Sequence, residues 1–136
     1  MKQASYPLTI YYDASCPLCA AEMHTIKETD FDNKLILVDC SDDQFKAPAF
    51  CPTSKAEMLS RIHAQDAAGQ WFKGVDVFAI AYQVSGFTKL SKFWGSKILR
   101  PILVRLYPLV ADNRHWLSKT PLPTLLNKLL RMCAPS

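Results

Sequence analysis

Two cysteines at a single C-x-x-C spacing, Cys16 and Cys19, constrain this chain more than any other feature. They follow an apolar run, residues 8–12, that is β-branched and aromatic and so predicts a buried strand. Residues 20–28 contain good helix formers with apolar side chains recurring along one side, which predicts a helix. The sequence therefore predicts a strand, a turn and a helix, with both cysteines where the turn enters the helix.

The chemistry of this helix start favours a reactive thiol. Ser15 is a good N-cap residue, and Pro17 suits the first helical position because it has no N–H to leave unpaired. Cys16 is then expected at the positive end of the helix dipole, near unpaired backbone N–H groups, and both stabilise a thiolate. Cys19 follows one turn later, within reach for a disulfide. Such a pair suits thiol–disulfide exchange, with Cys16 as nucleophile and Cys19 as resolving thiol.

The cysteine count and the N-terminus bear on compartment and metal content. Five cysteines, an odd number, argue against a structural disulfide framework and favour redox or metal chemistry. Zinc would need two more ligands, and no second C-x-x-C or H-x-x-x-H spacing supplies them, so we expect no metal site. No long apolar stretch precedes Asp13, so we expect no targeting segment and a cytoplasmic protein.

Charge divides the chain into two unlike halves. Residues 1–70 contain 6 Lys/Arg and 10 Asp/Glu, net −4, whereas residues 71–136 contain 10 and 2, net +8, which together give the overall +4. The basic residues are spread through apolar sequence and no nucleic-acid-binding motif accompanies them, so we expect a solvated helical face and no nucleic-acid partner. Peripheral contact with a membrane through a basic, leucine-rich helix is the alternative.

The rest of the pattern predicts a mixed sheet. Residues 34–40 predict a central strand parallel to the first, because a βαβ crossover joins parallel strands. Residues 61–65 and 70–73 predict a hairpin around a turn that ends in glycine, and the next helix begins at residues 74–76. The sum, βαβ followed by ββα, is the thioredoxin-like arrangement, a four-stranded mixed sheet in an α/β protein.

Beyond residue 86 the pattern is helical. Residues 96–116 and 121–133 predict amphipathic helices, and the arginines and prolines of the first argue against a membrane span. We predict a redox domain over residues 1–88 and a helical C-terminal extension over residues 89–136, packed on the same domain.

Residues 12–19 contain a D-x-x-C-x-x-C sequence, residues 74–78 a G-x-D-x-F block, and Tyr107-Pro108 with Asn113-Arg114 a Y-x…N-R segment. In this order the three resemble the motifs of the DCC family of predicted thiol–disulfide oxidoreductases. Ala14 departs from the family, which usually has glycine there. The resemblance covers roughly residues 8–118 and implies a thioredoxin-like fold and a redox activity.

Other residues at the predicted site have two interpretations each. Asp13 either accepts backbone N–H bonds in the turn or serves as the base that deprotonates Cys19. Asp76 is either a helix cap or, with Gly74 and Val75, part of a substrate groove whose N–H groups hold an anionic group. Pro17 is expected beside that groove.

Likeness to known redox proteins adds two expectations. The C-P-x-C sequence resembles that of glutaredoxins, so glutathione is a candidate co-substrate and we expect no other cofactor. Thioredoxin-like enzymes also place a cis-proline before the third strand, and residues 57–60 contain no proline.

The function predicted from these residues is thiol–disulfide exchange with a protein or small-molecule thiol or disulfide as substrate. The competing hypothesis is a non-catalytic binding module of thioredoxin-like fold, peripheral to the membrane in one version, whose cysteines stay reduced. Cys40 is either a small core residue or a neighbour of the site. Cys51 and Cys133 have no predicted role.

Overall fold

The computed structural model describes residues 3–48 and 51–132. It contains a four-stranded sheet, whose strands are β1 (Leu8–Tyr12), β2 (Leu35–Asp39), β3 (His63–Gln65) and β4 (Trp71–Lys73). Their order in the sheet is β2-β1-β3-β4, with β1 parallel to β2 and antiparallel to β3, and β3 antiparallel to β4. The predicted α/β class with a mixed four-stranded sheet is confirmed.

The helices of the described residues are α1 (Pro17–Glu28), α2 (Lys55–Ser60), α3 (Val75–Val84), α4 (Thr88–Trp94), α5 (Arg100–Asp112), α6 (Arg114–Ser118) and α7 (Leu122–Met132). Helix α1 connects the two parallel strands, α2 precedes the β3–β4 hairpin, and the others follow it. The predicted domain boundary after residue 88 falls at the start of α4, and Cys133, the end of the predicted last helix, lies outside the described residues.

The prediction that residues 34–40 form a central strand is wrong, because β2 lies at the edge of the sheet. The apolar run of this segment suggested burial on both faces, yet within β2 only Leu35 is buried and Ile36 is 46% exposed. The interior positions belong to β1 and β3, and Leu8 and Ile10 of β1 are fully buried. A continuous apolar run therefore did not distinguish a half-covered edge strand from a central one.

The C-terminal helices pack on the helices that flank the sheet. Helix α1 contacts α6 and α7, and α3 contacts α4 and α5. Leu130 of α7 joins the same core cluster as Ile10 of β1 and Ile80 of α3. Ser118 of α6 reaches the start of α1, where it contacts Cys16 and Leu18. Within residues 3–48 and 51–132, no helix has both the length and the apolar character needed to cross a bilayer.

Candidate active site

The N-cap of α1 is Cys16 and not Ser15 as predicted. Cys16 has extended backbone angles, and its Sγ accepts the Cys19 backbone N–H at 3.3 Å. Ser15 instead donates its backbone N–H and its hydroxyl to Asp13 Oδ1, at 3.0 and 2.5 Å. Pro17 occupies the first helical position, as predicted. The cysteine sulfur thus takes the place that a serine oxygen commonly fills at a helix start.

Donors around Cys16 stabilise its thiolate. The pKa of Cys16 is lowered to about 5, chiefly by a hydrogen bond from the Cys19 thiol. Burial opposes this shift, and the backbone N–H of Cys19, the Ser118 hydroxyl and the charge of His115 add to it. The Cys16 side chain has no exposed surface, so these donors act without competition from bulk water.

Ser118 of α6, 102 positions later in the sequence, packs over Cys16. Its Oγ lies 3.6 Å from Cys16 Sγ and accepts the Leu18 backbone N–H at 3.2 Å. The same hydroxyl can donate to the Arg114 carbonyl at 2.7 Å, so its one proton is shared between that oxygen and the sulfur. The contribution of Ser118 to the low pKa is accordingly smaller than that of Cys19.

Cys19 differs from Cys16 in both charge state and exposure. Its pKa is raised, first because its thiol donates to Cys16 and second because it is buried in the protein interior. Part of its surface is nevertheless accessible, since it lines a cavity. The four described cysteines are all free thiols, so the pair is in its reduced form.

Asp13 and Arg114 form an ion pair beside the cysteines. Arg114 Nη2 lies 3.1 Å from Asp13 Oδ2, and both side chains are largely buried. The guanidinium also donates to the carbonyls of Leu59, Ser60 and Ala111. One arginine therefore ties the end of β1 to the segment before β3 and to the end of α5. It also compensates the carboxylate charge, which by itself would disfavour a thiolate at Cys16.

Glu22 is a second carboxyl group near the pair, and sequence reasoning missed it. It lies one turn after Cys19 on α1, lines the same cavity, and accepts a hydrogen bond from the Tyr82 hydroxyl. Burial raises the pKa of Glu22 to about 7. The sequence did contain a signal for this role, since an acidic residue three positions after Cys19 lies on the same face of the predicted helix as Cys19.

A cavity of about 440 Å³ opens beside Cys19. Its walls come mainly from α1, α3, α4, α5, α7 and the segment between α2 and β3, and most of its surface is apolar. Polar and titratable groups are few and include Asp13, Cys19, Glu22, Tyr82 and Arg114. Aliphatic side chains, methionines and aromatic rings form most of the rest of the lining.

A family model for DCC1-like thiol-disulfide oxidoreductases matches residues 10–120. The chain belongs to the DCC1-like thiol-disulfide oxidoreductase family. No curated protein and no solved structure matches it. The match spans both cysteines, the Asp13–Arg114 pair and Ser118, so the family relationship covers the whole site.

Two residues of the Y-x…N-R segment, Tyr107 and Arg114, make contacts that hold the site together. Arg114 is the guanidinium that holds Asp13, and the hydroxyl of Tyr107 accepts the Ile62 backbone N–H at 2.8 Å. Both side chains therefore fix the segment before β3, where this DCC1-like chain has no proline. Burial raises the pKa of Tyr107 to about 12, so it remains a neutral phenol.

The predicted substrate groove at the start of α3 is occupied by side chains of α5. Gly74 is the N-cap of α3 with φ +65°, and a Cβ added there would lie 3.5 Å from the Tyr107 ring. Asp76 is not the cap; its carboxylate pairs with Arg100 at 2.6 Å. Val75 is buried. None of these three residues, nor the exposed Pro17, is among the residues that line the cavity.

Cys40 lies in the core. It has no exposed surface and packs in a small cluster with Tyr11 and Met58. Burial raises the pKa of Cys40 to about 12. Its thiol is therefore neutral and enclosed, and Cys51 packs against the same cluster.

Proposed function

We propose that the protein is a thiol–disulfide oxidoreductase in which Cys16 attacks and Cys19 resolves. The observation that supports this most is the opposite shift of the two pKa values. The first cysteine is held as a thiolate at neutral pH, and the second donates its proton toward it. A nucleophile already deprotonated next to a second thiol is what disulfide exchange requires.

In the reducing direction, the Cys16 thiolate attacks one sulfur of a substrate disulfide. The substrate S–S bond breaks, one half leaves as a thiolate that takes a proton from solvent, and a mixed disulfide forms at Cys16. Cys19 then loses its proton and attacks Cys16 Sγ, and the second half of the substrate leaves. Two electrons pass from the dithiol to the substrate, and the reverse sequence oxidises a dithiol substrate.

Glu22 is the proton acceptor that we assign to the resolving step. In the mixed disulfide the Cys16 charge is gone, but burial still raises the pKa of Cys19, so Cys19 needs a base. A carboxyl with a pKa of about 7 is suited to exchange a proton at neutral pH. Asp13, the base suggested by sequence, is engaged by Ser15 and Arg114. Asp13 thus fits its other predicted role, accepting hydrogen bonds in the turn.

Trapping of the mixed disulfide tests the proposal. Cys19→Ser protein incubated with oxidised glutathione, hydroxyethyl disulfide or a disulfide-containing unfolded protein should accumulate a mixed disulfide at Cys16, identified by mass spectrometry. Cys16→Ser should accumulate none. Cys51→Ser in the Cys19→Ser background, which should still trap at Cys16, is the matched control for loss of a thiol outside the pair. The three probes also distinguish glutathione from protein and other small-molecule substrates.

The second candidate is a non-catalytic binding module, and the complete burial of Cys16 beneath Ser118 favours it. In that case neither cysteine variant would trap any of the three disulfides, and the unaltered protein would keep both thiols reduced over a range of glutathione potentials. A catalytic pair would form the Cys16–Cys19 disulfide at a defined potential in that titration.

A further inference from the structure

Three C-terminal helices leave apolar side chains in solvent around the mouth of the cavity. Phe93 of α4 and Leu106 and Val110 of α5 line the cavity and are also between 44% and 49% exposed. On α7, Leu122 and Leu126 line the cavity from the other side. Beyond these positions α5 and α7 continue with further exposed apolar residues, which are Ile102, Leu109, Leu125, Leu129 and Met132. We call the exposed members of both groups the apolar rim.

Each of the three helices has a basic residue beside the apolar rim. Side chains four positions apart are neighbours on the surface of a helix. The neighbouring pairs are Lys89 with Phe93 on α4, Arg105 with Leu109 on α5, and Lys128 with Met132 on α7. All three basic residues are exposed, and none pairs with a carboxylate within residues 3–48 and 51–132. The edge of the apolar rim is therefore positively charged.

The charge of this part of the chain has nearly one sign. Residues 89–131 contain nine Lys or Arg and one acidic residue, Asp112, so their net charge is +8 (9 − 1). The carboxylate of Asp112 pairs with Arg61. Only Arg100, Arg114 and Arg131 pair with carboxylates elsewhere in the described chain. Six basic residues are left to interact with an external anion.

Apolar surface bordered by basic residues is complementary to an anionic lipid bilayer. A second copy of the chain would bring another surface of charge +8 against this one, and the two would repel. A protein interface carries about one hydrogen bond per 100–200 Å², and the side chains of the apolar rim can make none. A bilayer instead offers an apolar interior behind negatively charged phosphates.

We propose that the apolar rim and its basic neighbours dock this protein on the surface of a membrane that contains anionic phospholipids. The exposed side chains of α5 and α7 enter the boundary between headgroups and acyl chains, and the basic residues contact lipid phosphates. This contact uses neither cysteine. It therefore goes beyond the proposed thiol chemistry and can be tested separately from it.

Vesicle flotation provides the direct test. The reduced protein is mixed with vesicles of phosphatidylcholine alone, or of phosphatidylcholine with an equal amount of phosphatidylglycerol, and floated through a density gradient. We expect roughly tenfold tighter binding to the anionic vesicles. That binding should weaken as salt is added, because exposed charges are screened.

Four substitutions separate the apolar and the charged contributions. Leu109→Gln and Leu129→Gln change exposed residues that do not line the cavity, and together they should weaken binding to anionic vesicles about tenfold. Arg105→Gln and Lys128→Gln should each weaken it about fivefold and reduce its dependence on salt. Circular dichroism and thermal melting establish that each variant is folded.

The matched controls carry the same kinds of substitution on the other face of the sheet. Ile36 alternates along β2 with Leu35 and Leu37, which pack in the core formed with α1 and α3, so its side chain points away from them. Lys46 follows Phe45, which packs in the second core cluster. Both control residues are exposed, and Ile36→Gln and Lys46→Gln should bind vesicles as the unaltered protein does.

Four results would overturn the proposal. Equal binding to both kinds of vesicle, or to neither, decides with the unaltered protein alone, even if the variants fail to fold. Leucine variants that bind as tightly as the unaltered protein would leave a purely electrostatic contact, as expected for an acidic protein partner. Controls that lose as much binding as the test variants would place the contact elsewhere. A dimer in sedimentation velocity that Leu109→Gln dissociates would show that a second copy covers this surface.

Discussion

Cys16 and Cys19 differ because one sulfur receives hydrogen bonds and the other gives one. Cys16, as the N-cap, faces the unpaired N–H groups of the first helical turn, and its pKa is lowered to about 5. Cys19 faces inward, donates to that thiolate, and has its pKa raised. The same helix start therefore provides both an activated and a protected thiol.

Cys16 alkylation should report this arrangement directly. The rate of reaction with iodoacetamide, followed by mass spectrometry, should rise with pH through a midpoint near 5, although burial keeps it slow. Ser118→Ala removes one donor and should move that midpoint upward. Thr120→Ala, which loses a hydroxyl two residues later, is the control. A midpoint near the free-thiol value of roughly 8.5 would contradict the expected activation.

Glu22→Gln should slow the resolving step and change its pH dependence. We expect the rate at which Cys19 displaces a preformed mixed disulfide at Cys16 to rise near pH 7 in the unaltered protein, as Glu22 loses its proton. The variant should lose that inflection and about 10²-fold in rate, the lower end for general base catalysis. Stopped-flow measurement of thiol release gives both quantities.

The control for this experiment is Glu28→Gln, which changes an exposed carboxylate on the same helix. Gln at position 22 can still accept the Tyr82 hydroxyl, so the folded structure should persist. An unchanged inflection near pH 7 in the variant would show that another group accepts the proton.

At the scale of elements, the short helix α6 contacts two residues of the active site. Within five residues it supplies Arg114, which pairs with Asp13, and Ser118, which contacts Cys16. Breaking a largely buried ion pair by removing one partner leaves the other charge uncompensated. Helix α6 is therefore part of what holds the turn before α1.

Arg114→Ala should lower the free energy of unfolding by about 3–5 kcal/mol, measured by urea denaturation. Arg114→Lys keeps the charge but cannot reproduce the planar set of donors to Leu59, Ser60 and Ala111, so we expect a smaller loss. Arg105→Ala on α5 is the surface control, expected within about 0.5 kcal/mol of the unaltered protein. Equal losses for Arg114→Ala and Arg105→Ala would contradict the assignment.

Local patterns predicted β1, the turn, α1 and the β3–β4 hairpin because each depends on neighbouring residues. The edge position of β2 was not predictable in this way, since pairing depends on which strand β1 meets on its other side. Glu22 and Ser118 were missed for a related reason. Amphipathic periodicity indicates that a helix buries one face but not which partner that face meets. Arg114 was quoted in the family motif, yet its contact with Asp13 required the fold.

At the scale of the whole molecule, the shifted pKa values of Cys16 and Glu22 make the free energy of unfolding depend on pH in opposite senses. Cys16 has a pKa of about 5 in the folded chain and roughly 8.5 in the unfolded chain. Its contribution to the free energy of unfolding is therefore complete above roughly pH 8.5 and is lost as the pH falls toward 5. Glu22 has a raised pKa of about 7, so its contribution is complete below roughly 4.3 and is lost as pH rises through 7.

Paired variants should separate these contributions. The free energy of unfolding of the unaltered protein, minus that of Cys16→Ser, should increase from pH 5 to pH 8.5 in urea denaturation under reducing conditions. The corresponding difference for Glu22→Gln should decrease between pH 4.5 and 7. Cys51→Ser should give a flat difference, and a flat difference for Cys16→Ser would show that its pKa is the same folded and unfolded.

The contact between Cys16 and Ser118 joins residues 102 positions apart. During synthesis, at about 5–20 residues per second, roughly 5–20 s separate the emergence of the cysteine pair from that of α6. Until α6 emerges and docks, Cys16 is exposed and lacks the Ser118 hydroxyl and the Arg114 charge beside Asp13. A nascent chain would therefore present a more accessible but less acidic thiol, and the low pKa of Cys16 would arrive only when the last helices have folded onto the first.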